Sequence, residues 1–311
     1  MIDRPPRRIV SFLPSATEMA FALGLGDRLM GVTHECDYPP EAKQKPVVVR
    51  SVLPDGLTQR EIDEAVAERL RNGLSLYEAD EEMLLRIAPD LILTQELCAV
   101  CAPSGNEIAK LFRVLPKHPE VLWLTPKSLG GIFENLREVA RAAGRGAAAE
   151  VLIGGYRRRL DAISAATADC ARPRVFCMER IDPIYCSGHW VPEMVRCAGG
   201  IDALAREGSE SVRIAWHEVL RWAPEIILVM PCGLDLEKSA GVAEALLPGF
   251  SGWKELPAIQ MGRVYAVDAN AYFARPGPRA VDGVELLAHL IHPARVAWQG
   301  PPAYRKVACP A

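Results

Sequence analysis

The chain has 311 residues, enough for one large domain or two medium ones, and it is 50% hydrophobic and 24% charged, as in ordinary globular proteins. A formal net charge of −3 leaves no basic surplus to neutralise phosphates, which argues against a nucleic-acid partner. No stretch approaches the roughly 20 consecutive apolar residues of a membrane span, so we expect no integral membrane segment.

The amino terminus and the cysteines bear on the compartment. The opening residues 1–8 are polar and interrupted by proline, and a strand is predicted to start directly after them, which leaves no room for the apolar part of a signal peptide. The nine cysteines are scattered and odd in number, so at least one thiol stays unpaired, which favours a reducing compartment. We therefore expect a cytoplasmic protein as the sequence is written, and a periplasmic or surface-associated one if it has been trimmed.

Short β-branched runs alternate with helical patterns along the chain, which predicts βαβ units around largely parallel sheets. The predicted strands are Ile9–Phe12, Leu29–Thr33, Leu91–Thr94, Val121–Leu124, Val175–Met178, Ile226–Val229 and Val264–Val267. Two amphipathic helices, Glu81–Ile87 and Trp216–Trp222, are each followed by Ala-Pro, an acidic residue and a buried strand. This pair predicts an internal repeat with one copy in each half of the chain.

Between the halves, residues 128–168 lack strand character. Gly144-Arg145-Gly146 divides them into two helices, and the second, Ala147–Ala166, would span roughly 30 Å. Such a helix predicts a stiff connection whose weak point is Gly154-Gly155. The predicted fold class is therefore α/β: two Rossmann-like lobes with mainly parallel sheets, residues 1–127 and 169–311, joined by a helical linker that contains one long backbone helix.

The loop that follows the predicted strand Val175–Met178 carries the strongest functional signal. In an α/β protein, ligands are held by loops that leave the carboxyl ends of strands. This loop presents Tyr185, His189 and Trp190 on a turn that contains Ser187-Gly188. A comparable strand-to-helix loop, with Ser15, follows the first predicted strand, so we expect a ligand between the two halves.

An ordered set of segments covers nearly the whole chain: RIVSFLPSATE at 8–18, GVTHECDYPP at 31–40, APDLI at 88–92, SGHWVPE at 187–193, AGG at 198–200 and YFARPGPR at 272–279. This set resembles the class III substrate-binding proteins, and within them the cobalamin-binding proteins of ABC importers. The resemblance implies two Rossmann-like lobes bridged by a long helix, with a corrinoid such as cobalamin in the cleft. It also implies binding and delivery without catalysis, little movement on binding, and a monomer.

Carried over by position, the resemblance implies that the ligand contacts Ser15, the loop of His34 and Glu35, Tyr185, and the loop of Tyr272, Phe273 and Arg275, with His189 and Trp190 as neighbours. It further implies an ABC permease as partner, which docks on one acidic residue of each lobe. Glu82 matches the first docking position. At the second, His217 falls at the matching position and Glu218 one residue later.

The aromatic side chains admit a structural interpretation beside the functional one, because most aromatics belong to cores. Here they fall on predicted loops, where burial is hard to arrange, so we predict ligand contact. His34 or His189 offers an axial ligand for cobalt or haem iron. A corrinoid can bring its own axial base, so no protein metal ligand is required. Cys98 and Cys101 lack the second cysteine pair that a zinc site would need, and we expect structural or cleft-lining thiols.

Two other functions remain open. A haem or ferric-siderophore binding protein would need several arginines facing the ligand, and the loops offer mainly Arg275 and Arg50. An enzyme of cofactor metabolism on the same fold would need a catalytic pair, for which His34-Glu35 facing His189 is the only candidate. The Gly-x-Ser-x-Gly elbow and the phosphate-binding glycine motifs are absent from the sequence, and we predict no catalytic residues.

Overall fold

The computed structural model describes residues 5–54, 56–95 and 105–308. The chain divides into two compact units, one formed by Met1–Pro126 with Gly130–Ile153 and the other by Lys127–Leu129 with Gly154–Ala311. Cys98 and Cys101 lie outside the described residues, so the prediction for these thiols is not addressed. The two units are described separately.

The N-terminal unit is built on a sheet. Its strands are β1 (Ile9–Ser11), β2 (Leu29–Thr33), β3 (Val47–Ser51), β4 (Tyr77–Ala79), β5 (Leu91–Thr94) and β6 (Glu120–Trp123). They lie in the order β4-β3-β2-β1-β5-β6, and every neighbouring pair is parallel except β3 and β4. The strands β1 and β5 are buried throughout, as expected for interior strands of a parallel sheet.

The helices that begin in the first half of the chain connect these strands and lead into the second unit. They are α1 (Pro14–Ala22), α2 (Gln59–Arg71), α3 (Glu81–Ile87), α4 (Gly105–Val114), α5 (Leu129–Ala142) and α6 (Gly146–Thr167). The long helix α6 extends the predicted Ala147–Ala166 by one residue at each end and continues through Gly154-Gly155. The boundary between the two units falls inside it, after Ile153.

The C-terminal unit has its own sheet. Its strands are β7 (Val175–Arg180), β8 (Tyr185–Cys186), β9 (Ile226–Val229), β10 (Val264–Val267) and β11 (Tyr304–Lys306). They lie in the order β11-β10-β9-β7-β8, with β10, β9 and β7 parallel and the edge strands β11 and β8 antiparallel. The carboxyl ends of β7, β9 and β10 therefore share one edge, and the loops that leave them lie along it.

The helices of the C-terminal unit cover a core of aliphatic and aromatic side chains. They are α7 (Val191–Cys197), α8 (Trp216–Trp222), α9 (Leu236–Leu246), α10 (Pro257–Gln260), α11 (Ala269–Tyr272) and α12 (Ala280–Ile291). Arg159 of α6 is paired with Asp282 and, at 2.7 Å, with Glu285 of α12, which ties the second half of the long helix to this unit.

In the part of the chain that is described, no helix is both long and apolar enough to cross a membrane.

The predicted internal repeat is confirmed at the level of the backbone. Helices α3 and α8 have the predicted bounds, and each ends at an alanine in the left-handed region. Ala88 has φ 47° and ψ 64°, and Ala223 has φ 49° and ψ 63°. The following proline cannot continue the helix, and the buried strand begins within three residues of that alanine.

The structure also corrects parts of the sequence-based fold. The prediction missed β3, β4, β8 and β11. Strands β4, β8 and β11 have only two or three residues, whereas β3 contains the apolar run Val47-Val48-Val49, which the prediction overlooked. The sixth strand begins and ends one residue earlier than predicted. Tyr185, which we expected on a loop, pairs with Arg180 in a short antiparallel extension of the sheet.

Replacing both Gly154 and Gly155 with alanine should raise the melting temperature, since each helical glycine destabilises by roughly 0.5–1 kcal/mol relative to alanine. A Cβ added at Gly154 would lie 3.5 Å from a guanidinium nitrogen of Arg158, and a Cβ added at Gly155 would lie 3.9 Å from one. Both contacts are with the end of a flexible side chain. The matched control is Gly144→Ala, at φ +70° and 3.2 Å from Pro5, which should lower the melting temperature. A double variant less stable than the parent protein would contradict the helical assignment of these glycines.

Candidate functional site

The loop that leaves β7 is fixed by a close backbone approach at Gly188. A Cβ on this residue would lie 2.3 Å from the Ser211 nitrogen and 2.8 Å from the Ser209 carbonyl oxygen. Real Cβ atoms do not approach backbone so closely, so only glycine fits this position. The sequence signal Ser187-Gly188 therefore marks a place where two chain segments pack against each other, as the predicted tight turn required.

Backbone hydrogen bonds hold the same two segments together on either side of Gly188. The His189 nitrogen donates to the Ser209 carbonyl at 2.6 Å, and the Gly208 nitrogen donates to the His189 carbonyl at 2.9 Å. Before the glycine, the Cys186 nitrogen donates to the Val212 carbonyl at 3.1 Å. Residues 185–190 are thus bonded along their length to residues 208–213, and the loop is a rigid part of the unit.

Trp190 joins this loop to the one that leaves β10. Its indole nitrogen donates to the Phe273 carbonyl at 2.9 Å, and the side chain is only 5% exposed. Phe273 is 2% and Tyr272 7% exposed, and the Tyr272 ring meets Trp298 edge-on at 5.6 Å. The expectation that these aromatics would be hard to bury was therefore wrong for Trp190, Tyr272 and Phe273. Their direct contact with a ligand stays a prediction.

Tyr185, His189 and Arg275 are the half-buried members of the predicted C-terminal set. The Tyr185 ring lies under the guanidinium of Arg180, at 5.1 Å from its centroid. Arg275 follows the buried aromatic pair, and its carbonyl accepts a hydrogen bond from the Gly277 nitrogen at 2.8 Å. These two residues offer polar groups and a flat face at the edge where ligands of α/β sheets bind.

His189 has an unusual backbone and an enclosed ring nitrogen. Its φ of 53° is left-handed, a conformation that costs about 1 kcal/mol or more in a residue with a side chain, though histidine adopts it more readily than most. Its Nε2 is buried without a hydrogen-bond partner in the structure. Burial has the largest effect and lowers the pKa of the imidazole. The charge of Glu210 acts in the opposite direction, and that of Lys127 lowers the pKa further. In this conformation Nε2 is not presented to solvent, which disfavours an axial or catalytic role.

Behind the loop lies a carboxyl that the sequence did not single out. Asp202 accepts hydrogen bonds from the Ser187 hydroxyl at 3.3 Å and the Leu204 nitrogen at 3.1 Å. Burial raises the pKa of this carboxyl to about 6, although backbone donors, including that of Cys177, act in the opposite direction. Burial also raises the pKa of the Cys177 thiol well above its usual value, so it is an inert thiol rather than a nucleophile. Through its hydrogen bond with Ser187, Asp202 holds the loop of residues 185–190 from the side of the core.

In the N-terminal unit, the predicted residues follow the ends of β1 and β2. Ser15 lies in α1 and is 2% exposed, whereas His34 and Glu35 are exposed on the loop after β2. The His34 nitrogen donates to the Val49 carbonyl at 3.1 Å, and the Glu35 nitrogen donates to the Thr33 hydroxyl at 3.1 Å. The His34 and Glu35 side chains are thus exposed to solvent, and Ser15 is not.

Arg50 and Glu82 were predicted for different roles, but they line the same cavity of the N-terminal unit. This cavity, of about 580 Å³, lies among β3, β4, α3 and α4, and Glu78 and Lys110 contribute to it. Arg50 is the register partner of Glu78 across β3 and β4. Arg50 therefore lies in a strongly charged environment of mixed sign, next to the residue assigned to docking.

The internal repeat shows which residues occupy equivalent places in α3 and α8. Glu82 is the second residue of α3 and is exposed. The second residue of α8 is His217, also exposed, whereas Glu218 is the third and its carboxylate accepts a hydrogen bond from the Ala215 nitrogen at 2.8 Å. Glu218 thus caps its own helix, and the two equivalent surfaces differ in charge. Docking at Glu82 and Glu218 stays a prediction.

No group of three or more histidine, cysteine, aspartate or glutamate side chains in a metal-binding arrangement occurs among residues 5–54, 56–95 and 105–308.

The sequence analysis missed Arg180 and Arg213, which flank Tyr185 in the strand pairing. The alternation of apolar side chains with Tyr185 and Arg213 along residues 184–186 and 212–214 could have indicated two short strands, but this pattern is weak in segments of three residues.

Comparisons with known proteins agree on the kind of molecule. The family described as periplasmic binding protein matches residues 9–271. The vitamin B12-binding protein of Vibrio cholerae serotype O1 is 26% identical over 284 residues, which cover 90% of this chain and 87% of that protein.

Solved structures show the same fold. The periplasmic vitamin B12-binding protein BtuF of Vibrio cholerae superposes with a TM-score of 0.68 at 25% identity, covering 93% of this chain and 98% of that one. The periplasmic haem-binding protein RhuT from Roseiflexus sp. RS-1, in its apo form, gives a TM-score of 0.70 at 25% identity, covering 93% and 99%. The α/β fold of two mainly parallel sheets is therefore confirmed.

The raised pKa of Asp202 predicts a pH-dependent penalty on stability. In the folded protein this carboxyl binds its proton more tightly than in the unfolded chain, so its contribution is most favourable below the unfolded pKa of 3.8 and is lost as pH rises to about 6. The lost contribution is on the order of 3 kcal/mol at most. His189 acts oppositely, since its lowered pKa removes stability as pH falls below 6.5.

The measurement is the free energy of unfolding of the parent protein and of Asp202→Asn between about pH 4 and pH 7.5. Because asparagine does not titrate, the parent should lose stability relative to the variant as pH rises. A difference between the two proteins that is constant over this range would show that Asp202 titrates as an ordinary exposed carboxyl.

Proposed function

The chain belongs to the periplasmic binding protein family, and from that premise we propose that it binds a corrinoid such as cobalamin for ABC-type uptake or intracellular handling. The observation that carries the proposal is the likeness to the vitamin B12-binding protein of Vibrio cholerae, which covers nine-tenths of the chain. The family match, over residues 9–271, includes the loop of residues 185–190.

The chemistry of the C-terminal loops supports a corrinoid. A corrinoid is a broad disc with apolar faces and amide arms, so it needs a flat, firm surface with hydrogen-bonding groups around it. The half-buried Tyr185 and Arg275 are of this kind, and the buried Trp190 and Phe273 hold their backbones in place. Such a preformed surface binds without first having to be ordered, which favours affinity.

Haem is the second candidate, because RhuT resembles this chain as closely as BtuF does. A haem protein commonly supplies an axial ligand to the iron. His34, which is exposed, is the imidazole best placed for that role, since His189 Nε2 is enclosed. A ferric siderophore is a further alternative, although Arg50, one of the arginines predicted for it, lies beside Glu78 and Glu82. We rank the corrinoid first because the likeness to the vitamin B12-binding protein of Vibrio cholerae covers 90% of this chain.

We propose that the protein delivers its ligand and catalyses no reaction. The matched family is described as a periplasmic binding protein. The buried thiol of Cys177 and the enclosed His189 Nε2 do not form an activated nucleophile and base. An ABC permease is the partner we propose. A cytoplasmic location stays a prediction from the sequence, while the family description is periplasmic.

The test is the visible spectrum of the purified protein after incubation with cyanocobalamin and desalting. We expect about one corrinoid retained per chain, and haem retained more weakly. The variant Gly188→Ala should retain much less corrinoid, because the new methyl group collides with the backbone at Ser211. Its control is Gly241→Ala, where a Cβ meets nothing within 4 Å and retention should be unchanged.

Cobalamin retained no better than by an unrelated protein would contradict the corrinoid assignment. If haem were then retained about one per chain, the haem alternative would replace it.

A further inference from the structure

Two arginines flank the ring of Tyr185 at the carboxyl edge of the C-terminal sheet. Arg180 is the register partner of Tyr185 in the antiparallel pair of β7 and β8. On its other side, Tyr185 forms an antiparallel bridge with Arg213. Residues that lie directly opposite each other in antiparallel strands place their side chains on the same face. Arg180, Tyr185 and Arg213 are therefore side-chain neighbours.

The side chains of Tyr185 and Arg213 project away from the hydrophobic core, and the Arg180 guanidinium lies over the Tyr185 ring. Cys186 belongs to the core cluster of the C-terminal unit, and Ile214 packs against it. Since side chains alternate along a strand, Tyr185 and Arg213 point to the opposite face. Tyr185 is half-buried and Arg213 is exposed, so the face is accessible in this unit.

The contact with Tyr185 orients one of the two positive charges, that of Arg180. The Arg180 guanidinium carbon lies 5.1 Å from the Tyr185 ring centroid, a cation–π contact that orients the guanidinium plane. In the described part of the chain, no carboxylate is paired with Arg213. Guanidinium groups match the geometry of phosphate and carboxylate oxygens and bind them with charge-assisted hydrogen bonds.

We propose that Arg180 and Arg213 form an anion-binding subsite that recognises a negatively charged group on the ligand. In a complete corrinoid this group is the phosphodiester of the nucleotide loop, and in a porphyrin it is a carboxylate. The subsite rests on the proposed function, because the loop of residues 185–190 is part of the proposed ligand surface. It adds a discrimination between ligands that carry the anion and ligands that lack it.

Three ligands and three variants test the subsite. Cyanocobalamin carries the phosphodiester, dicyanocobinamide has the same ring without it, and haem carries carboxylates. The variants are Arg180→Gln, Arg213→Gln and the control Arg221→Gln, which removes one exposed positive charge from the last turn of α8. Dissociation constants are measured for each pair, with melting temperatures to check that each variant is folded.

We expect Arg213→Gln and Arg180→Gln each to weaken cyanocobalamin binding by about tenfold or more, the loss typical of a charge-assisted hydrogen bond. Cobinamide binding should change less than about twofold, and Arg221→Gln should change neither. Equal losses for cobalamin and cobinamide, or no loss for either, would overturn the subsite while leaving the corrinoid function intact.

The haem measurements separate the two proposals. If the parent protein binds haem but no corrinoid, and the two variants weaken haem binding, the subsite stands and the corrinoid function fails. If the parent binds haem alone and the variants bind it equally well, both fail. Binding of none of the three ligands by the parent protein would also overturn both.

Discussion

The close approach of Gly188 to residues 209–211 is the constraint on which the C-terminal site depends. Because the loop has no room for a side chain there, its backbone is pinned to the neighbouring segment. The residues on either side then have fixed directions: Tyr185 opposes Arg213, and Trp190 reaches the Phe273 carbonyl. One glycine thus brings three segments of the unit together, and the left-handed backbone of His189 is held by the same contacts. A surface ordered in this way loses little entropy when a ligand binds.

The internal repeat shows how one framework can carry two different surfaces. Helices α3 and α8 end in nearly identical left-handed alanines before proline, because a buried strand must start at once after each. Their exposed second residues nevertheless differ, with glutamate in one and histidine in the other. Backbone geometry is therefore maintained by a few residues that stop the helix, while the charge of the surface is free to change. A partner that recognises both helices would meet a carboxylate on one and an imidazole at the equivalent place on the other.

The sequence predicted the framework well and the burial of the site poorly, for physical reasons. Proline and apolar runs act locally, so α3, α8 and the interior strands β5 and β9 were predicted with their observed bounds. The Trp190 indole donates a hydrogen bond to a carbonyl 83 positions away, and no local sequence pattern predicts the burial that accompanies such a contact. Asp202 likewise acquires its raised pKa from its surroundings. The loop was found because glycine and aromatic residues cluster in it, but which of its side chains face outward depends on tertiary contacts.

We propose that the loops at the carboxyl edge of the C-terminal sheet hold the ligand. Hydrogen–deuterium exchange with and without cyanocobalamin tests it most directly, because exchange reports the opening of each backbone segment. On binding, we expect slower exchange in residues 185–190, 208–213 and 272–275, and unchanged exchange in α12 and β11. Retention of cobalamin with unaltered exchange in all three segments would contradict it.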